Sequence, residues 1–377
     1  MKNLLIVHNM YANFGGEDSN IYSEVNNLSK SYKVYEFTKK NKKNISLIGM
    51  INLLTLNNFM INSELKKIIK NKKIDIVYIH NTWYEINLGI FKVLKKLNLK
   101  TIVKLHNFRF DCIEANHFRD DSICHDCEVN KRYSGVKNKC YKESYLKSYL
   151  ITRYSKKLFK ILKNESLLIF VFSKFHKNYL VKLGILDKKI KIQPNFINLK
   201  SKNSNYSIES DYTTLVGRLE TGKGVSQVID SFLKSKFKNL TLFVIGEGPI
   251  KLELENRYKK NLNVKFLGQL EYFDVLVILK KSKFNLFGSL MYEGQPMVLM
   301  EASGFGVPSL IPDNGGLKYF FPSDYELIYK HQIKNNLLSL LNSVDEKKLI
   351  ESSKKIENFV KNNFTQAKLI KSFSNNI

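Results

Sequence analysis

The chain has 377 residues, of which 44% are hydrophobic and 25% are charged, and its formal net charge is +27 at pH 7. This length suits two globular domains of about 180 residues each. No run reaches the roughly 18 apolar residues that a membrane-spanning helix needs, and the first apolar run is too short for a signal peptide. These features predict a cytoplasmic protein.

The positive charge is concentrated in the first half of the chain. Residues 1–200 carry 37 Lys and Arg against 16 Asp and Glu, whereas residues 201–377 carry 24 against 18. Only six of the 61 basic residues are Arg, so a coding bias toward Lys explains the total as well as a function does. The asymmetry favours an anionic membrane or nucleic acid as partner. Candidate contacts are the basic clusters at 39–43, 66–73 and 153–163, with the apolar stretch 48–60 beside them.

Short runs rich in Val, Ile, Tyr and Phe alternate with longer stretches typical of helices, which predicts parallel sheets. The runs are 4–9, 33–37, 74–79, 100–105 and 167–172 in the first half, and 212–217, 240–245, 263–267, 283–287 and 307–311 in the second. A polar stretch at 200–207 predicts a linker. We therefore expect an α/β chain of two doubly wound domains, which bind ligands at the carboxyl ends of their strands.

Four cysteines lie within 29 residues: Cys112, Cys124, Cys127 and Cys140. Their spacing includes a Cys-x-x-Cys pair and suits a structural tetrahedral Zn²⁺. Disulfides are disfavoured in a reducing cytoplasm. Four free thiols remain the alternative, because spacing alone does not bring the side chains together.

A glycine-rich turn follows the first strand of the second half. Arg218 and Lys223 lie in it, and Gly217, Gly222 and Gly224 keep it clear of other side chains. A planar guanidinium and an ammonium could together hold a diphosphate and offset charge that grows on a leaving group. An ordinary pair of surface cations is the alternative.

Two carboxylates, Glu293 and Glu301, stand eight positions apart across a junction from strand to helix. Pro296 fits the first turn of the helix, whose amide groups would hold an anion. A carboxylate further along the helix can accept hydrogen bonds from the vicinal hydroxyls of a ribose or hexose. This run therefore predicts a sugar nucleotide as ligand.

The Glu-x7-Glu run resembles the signature of the retaining glycosyltransferases of family 4, which have the GT-B fold. Four further groups of motifs resemble the same family and occur in the order that the family has, so the likeness covers nearly the whole chain. They are Leu215–Leu219 with Lys223 and Gly224, Gly304–Ile311 with Asp313–Gly316, Gly15–Glu17, and the strand ends at Tyr78–Asn81, His106–Asn107 and Ser173–His176.

The resemblance implies two Rossmann-like domains that face a cleft. Residues 1–199 would bind the acceptor and carry a Cys-rich insertion at 108–143, residues 208–360 would bind the sugar nucleotide, and 361–377 would return to the first domain as a helix. It implies catalytic roles for His106, Glu293, Arg218 and Lys223. It implies donor binding by Gly16, Glu301, Gly294, Gln295, Pro296, Met297 and Val298.

Within this set, the resemblance assigns Glu293 to sugar hydroxyls, Glu301 to the ribose and His106 to the transferred sugar. His80, at the end of the preceding strand, would line the acceptor site. Arg218, Lys223 and helix amides would take the place of a cation, so we expect no catalytic metal.

The expected activity is that of a retaining hexosyltransferase. It would move a hexose from a nucleoside-diphosphate sugar to a glycan or lipid-linked acceptor in the synthesis of a cell-surface polysaccharide, at the inner face of the cell membrane. The alternatives are a zinc-containing nucleic-acid-binding protein and a catalytically silent GT-B protein that binds glycans. The ordered motifs argue against a nucleic-acid partner, and the joint presence of Glu293, Glu301, Arg218 and Lys223 argues against loss of catalysis.

Overall fold

The computed structural model describes residues 1–10, 16–41, 46–128, 133–197 and 206–377. Gly15, Lys42, Lys43 and most of the predicted linker lie outside these residues. Contacts divide the chain into two compact units. Unit 1 comprises Met1–His117, Cys124–Asn195 and Leu369–Ile377, and unit 2 comprises Phe118–Ile123 and Phe196–Lys368.

The strands and helices are numbered in chain order. The strands are Asn3–Met10 (β1), Lys33–Lys40 (β2), Ile76–Asn81 (β3), Lys100–Lys104 (β4), Phe118–Arg119 (β5), Ser122–Ile123 (β6), Leu168–Val171 (β7), Ile190–Ile192 (β8), Tyr212–Val216 (β9), Thr241–Ile245 (β10), Val264–Gly268 (β11), Asn285–Leu286 (β12), Ser309–Pro312 (β13) and Ile328–Tyr329 (β14). The α-helices are Gly16–Leu28 (α1), Leu47–Thr55 (α2), Phe59–Asn71 (α3), Gly89–Lys96 (α4), Ser134–Lys137 (α5), Tyr145–Asn164 (α6), Lys174–Lys182 (α7), Val225–Lys234 (α8), Lys251–Tyr258 (α9), Tyr272–Lys280 (α10), Met297–Gly304 (α11), Asn336–Ser343 (α12), Glu346–Asn363 (α13) and Gln366–Asn376 (α14).

Unit 1 is built on a parallel sheet of order β2-β1-β3-β4-β7-β8. Its central strands are buried along nearly their whole length, as expected for a parallel strand with both faces covered. The carboxyl ends of β1, β3 and β4 meet at one edge of this sheet. His8, His80 and His106 are therefore neighbours although they are far apart in the sequence.

The end of the chain completes the core of unit 1. Phe373 on α14 is fully buried in a cluster that includes Ile6, Tyr78 and Phe170. The expected returning segment was 361–377, but only the part from Leu369 groups with unit 1. Helix α13 extends to Asn363 and buries Ile356 and Val360 within unit 2, which places the transition later in the chain.

Unit 2 is built on a second parallel sheet, of order β11-β10-β9-β12-β13-β14. Each of the ten predicted strands is present, which confirms the α/β architecture of both halves. The short edge strands β8 and β14 were not predicted. No helix of the described residues combines the length and the hydropathy needed to cross a bilayer.

The antiparallel hairpin formed by β5 and β6 was expected to belong to the first domain, inside the Cys-rich insertion. Contacts assign Phe118–Ile123 to unit 2 instead. The ring of Phe118 packs against unit 2, since a Cβ added at Gly222 would lie only 3.1 Å from Cδ1 of this ring. The hairpin therefore packs on the glycine-rich turn that follows β9.

Candidate functional site

The turn after β9 lies tightly against the loop that follows β12. Gly224 has φ +60°, and a Cβ there would lie 2.1 Å from the carbonyl oxygen of Gly288. Backbone geometry and space therefore both require glycine. The amide of Leu290 donates to the carbonyl of Gly222 at 2.8 Å, which fixes the loop against the turn.

This packing brings two predicted catalytic side chains together. The Nζ atom of Lys223 lies 2.6 Å from Oε1 of Glu293. The same carboxylate oxygen accepts a hydrogen bond from the Oγ of Ser289 at 2.6 Å. Both charged side chains are mostly buried, at 21% and 13% exposure, so solvent weakens their attraction less than on an open surface.

Asn314 holds the loop that carries Glu293. Its Nδ2 donates to the carbonyls of Ser289 at 3.2 Å and Met291 at 2.9 Å. Sequence reasoning missed Ser289 and treated Asn314 only as part of a turn. Ser289 lies four positions before Glu293, and Asn314 lies in the turn after the next strand. Neither position forms a sequence pattern that marks a functional residue.

Glu301 lies on α11 and accepts a hydrogen bond from the Oη of Tyr272 at 2.9 Å. Burial raises the pKa of this carboxyl group to about 7, and the bond from Tyr272 opposes the rise. Glu301 therefore changes its ionisation near neutral pH. Tyr272 is on α10 and was not among the predicted site residues.

The segment Gly294–Val298 leads into α11. Pro296 was expected in the first turn, but it precedes the helix, because its ψ of 116° is extended, and Met297 is the first helical residue. Gln295 is buried. The roles proposed for these residues in binding an anion stay predictions.

Arg218 and Lys223 lie in the same turn and were expected to act together, but their side chains have different partners. The guanidinium of Arg218 lies 3.2 Å from Oε2 of Glu220, and its side chain is 72% exposed. The structure therefore pairs Lys223, but not Arg218, with Glu293 in an ion pair. A role for Arg218 at a diphosphate stays a prediction.

In unit 1, His106 follows β4 and is half-buried, and its Nε2 lies 2.9 Å from Nδ1 of His80. Burial lowers the pKa of both rings well below their ordinary value, with further lowering from the neighbouring cation Lys104. Both imidazoles are therefore neutral at neutral pH. Gly16 begins α1, the helix that follows β1.

A buried ion pair lies beneath the two histidines. Lys104 donates to both oxygens of Glu24, at 3.2 and 3.1 Å, and to Oδ1 of Asn195 at 2.8 Å. Tyr78 donates to Glu24 Oε1 at 3.0 Å. Sequence reasoning missed this pair, since Glu24 is on α1 and Lys104 lies 80 positions further along the chain.

The four cysteines are free thiols, and all lie in unit 1. Burial raises the pKa of Cys127 to about 12, with smaller contributions from the thiols of Cys112, Cys140 and Cys124. Cys127 thus lies near the other three thiols. Within the residues that the structure describes, however, no three His, Cys, Asp or Glu side chains are arranged as a metal site.

The fold and the site define the class of protein. Residues 198–363 match the family described as Glycosyl transferases group 1. The two parallel sheets with their helices form the GT-B fold, and solved GT-B structures align over the whole chain. The chain therefore has the GT-B fold, and its second half matches the group 1 glycosyltransferases. This agrees with the resemblance found in the sequence, whose assignment to family 4 stays a prediction.

The relatives differ in how much of the chain they match. A UDP-Gal:alpha-D-GlcNAc-diphosphoundecaprenol alpha-1,3-galactosyltransferase of Escherichia coli is 27% identical over 183 residues, which are 46% of either protein. The match thus spans about half of that relative. Sucrose-phosphate synthase from Thermosynechococcus elongatus superimposes with a TM-score of 0.71 at 15% identity, covering 100% of this chain and 98% of that one. The apo form of a lipopolysaccharide outer core galactosyltransferase has a TM-score of 0.67 at 18% identity, covering 100% and 99%.

Proposed function

We propose that this protein is a retaining glycosyltransferase. It moves a hexose from a nucleoside-diphosphate sugar to a glycan or lipid-linked acceptor in the synthesis of a cell-surface polysaccharide. The observation that carries the proposal is the contact of Lys223 with Glu293 at 2.6 Å, inside the group 1 domain. This contact places an ammonium and a carboxylate side by side at the carboxyl edge of the sheet of unit 2, where such sheets bind ligands.

The chemistry follows from these two groups. A donor diphosphate would replace the carboxylate as the partner of Lys223, and the ammonium would then stabilise the charge that develops on the leaving diphosphate. Glu293 would be released to accept hydrogen bonds from the sugar hydroxyls. Since Ser289 also donates to Glu293, the carboxylate keeps its position when Lys223 turns to the phosphate.

We expect the protein to bind a nucleoside diphosphate, and to do so more weakly as the pH falls through about 7. The pKa of Glu301 is about 7, and only its ionised form accepts two hydrogen bonds well from ribose hydroxyls. Calorimetry with UDP, GDP, ADP and CMP at pH 6 and pH 8 tests this. UDP is the first choice, since the Escherichia coli relative is named for a UDP-sugar.

The variant for this experiment is Glu301→Gln, which should lose roughly 10- to 100-fold in nucleotide affinity at pH 8 and lose the pH dependence. Glu326→Gln is the matched control, because that carboxylate is exposed and paired with Lys348. If Glu301→Gln binds as the wild type does at both pH values, Glu301 does not hold the ribose. If no nucleotide binds, the proposed function is wrong.

We propose a lipid-linked acceptor that reaches the enzyme at the inner face of the cell membrane. A basic and apolar surface of unit 1 supports this. The exposed apolar side chains there are Ile48, Phe59 and Met60, at 65%, 76% and 77% exposure, and α3 adds Lys66, Lys67 and Lys70. Anionic lipid attracts such cations, and apolar side chains add affinity at the bilayer interface.

Binding to anionic vesicles is expected to fall steeply as salt rises through the physiological range, and to be absent on neutral vesicles. Phe59→Ser/Met60→Ser should weaken it, whereas Phe273→Ser should not, since Phe273 is an equally exposed ring of unit 2. Vesicle sedimentation measures both effects. A protein that ignores anionic vesicles at low salt would rule out membrane attachment through charge.

We also propose a structural zinc ion at the four cysteines. The proximity of Cys127 to the other three thiols supports it. So do the backbone amides of residues 114–117, which hydrogen-bond to the sulfur of Cys112 and oppose the rise of its pKa to about 11. Such amides stabilise a thiolate, the form that binds Zn²⁺. The ion would hold the insertion in one conformation.

Elemental analysis of the purified protein should find about one zinc per chain. Cys127→Ser should remove the metal. His125→Gln should retain it, since His125 lies inside the same Cys-x-x-Cys segment but is not one of the four thiols. Metal-free protein whose four thiols react while it is folded would leave the cysteines as free thiols.

A further inference from the structure

His80 connects the site histidine to a buried carboxylate from another element. Its Nδ1 is hydrogen-bonded to Nε2 of His106, and its other nitrogen, Nε2, lies 3.9 Å from Oε2 of Glu24. The side chains of His80 and Glu24 are almost completely buried, at 0% and 2% exposure. Among the described residues, no hydrogen bond reaches Nε2 of His80. Glu24 therefore places a carboxylate oxygen close to this nitrogen.

The carboxylate of Glu24 is held in place by buried donors. It accepts hydrogen bonds from Lys104 and Tyr78, and Lys104 is itself fixed by Asn195. Lys104 also lies 5.3 Å from the ring centre of Phe172, so it has little freedom to turn away. A fixed carboxylate oxygen consequently faces Nε2 of His80.

Two neutral imidazoles that share one hydrogen bond can be ordered in two ways. In the first, His106 donates through Nε2–H to Nδ1 of His80, and His80 carries its own proton on Nε2, facing the carboxylate. In the second, His80 donates through Nδ1–H, and the lone pair of its Nε2 faces the carboxylate. In the second order, the lone pair of Nε2 and the carboxylate oxygen are two acceptors that face each other in a buried site. Their repulsion favours the first order.

We propose that Glu24 is a positioning residue that fixes the tautomers of His80 and His106 and leaves Nδ1 of His106 as a hydrogen-bond acceptor. This proposal rests on the proposed function for one step only, that the acceptor atom receives a hydrogen bond from a hydroxyl of the bound sugar. Glu24 itself touches no substrate. It acts through His80.

Long-range ¹H–¹⁵N spectra of the full-length protein report the protonated nitrogen of each imidazole and need no substrate. The wild type should show Nε2–H at both His80 and His106. Glu24→Gln should reverse both to Nδ1–H, because an amide N–H then faces Nε2 of His80. His80→Asn and His106→Asn identify the signals.

Asp18→Asn is the matched control. Asp18 faces Nε2 of His8 at 2.7 Å in the same unit, so the same change of carboxylate to amide should alter the signal of His8 and leave those of His80 and His106. If Glu24→Gln fails to fold because Lys104 loses its partner, Glu24→Gln/Lys104→Met removes both buried charges and should show the same reversal.

Activity gives the second measurement. Glu24→Gln should lower kcat by about tenfold or more, with the nucleotide affinity of unit 2 unchanged. A wild-type His106 protonated on Nδ1, or tautomers that do not change in Glu24→Gln, would overturn the inference. If the tautomers are as expected but the protein transfers no sugar, the inference stands and only the proposed function is overturned.

Discussion

Lys223→Met is expected to lower kcat for sugar transfer by roughly 10²- to 10³-fold. The reason is that the ammonium lies at the carboxyl edge of the sheet of unit 2 and is only 21% exposed, so its charge acts strongly on a leaving diphosphate. Steady-state kinetics gives kcat, and calorimetry gives the affinities for nucleoside mono- and diphosphate. The loss should be larger in kcat than in diphosphate affinity, because the charge develops during transfer.

Lys348→Met is the control for this experiment. Lys348 forms an ion pair with Glu326 at 2.8 Å in the same unit, as Lys223 does with Glu293. It lies on α13, which carries none of the predicted site residues, so turnover should not change. Equal losses of mono- and diphosphate affinity in Lys223→Met would show that Lys223 does not act on the terminal phosphate.

Lys104→Met is expected to lower the free energy of unfolding by about 3 to 5 kcal/mol. The substitution leaves the carboxylate of Glu24 buried, with only Tyr78 donating to it among the bonds described above. Desolvation of such a charge costs more than the pair itself contributes. Urea unfolding followed by circular dichroism measures the change.

The double variant Lys104→Met/Glu24→Gln separates pairing from packing. It removes both charges and keeps similar side-chain volumes, so most of the lost stability should return. A single variant Lys104→Met that unfolds within about 1 kcal/mol of the wild type would show that the buried pair matters little to folding.

The strands could be predicted from sequence because burial on both faces of a parallel strand leaves a continuous apolar run, as at 4–9 and 241–245. The short strands β8 and β14 contain only three and two residues, too few to form such a run. The hairpin at 118–123 was placed in the wrong half because membership of a unit depends on long-range packing. Local pattern carries no information about it.

The residues of the candidate site likewise divide into those that local pattern predicts and those that only long-range packing brings in. Lys223 and Glu293 were each predicted as functional residues because each lies in a recognisable turn. Their contact spans 70 positions and depends on how Gly224 meets the backbone of Gly288. Tyr272 and Glu24 were missed because each lies on a helix, outside any functional motif, and Ser289 was missed because a single serine in the loop of Glu293 forms no pattern.

The burial of Phe373 has a consequence for how the protein is made. Ribosomes release the segment from Leu369 onward only after residues 196–368, the bulk of unit 2, have been synthesised. Until then Tyr78 and Phe170 lack one of the rings that pack against them, with centroids 5.1 and 5.8 Å away. The first unit to be translated is thus the last to be completed, and a fragment that stops at Asn195 would carry an open apolar face.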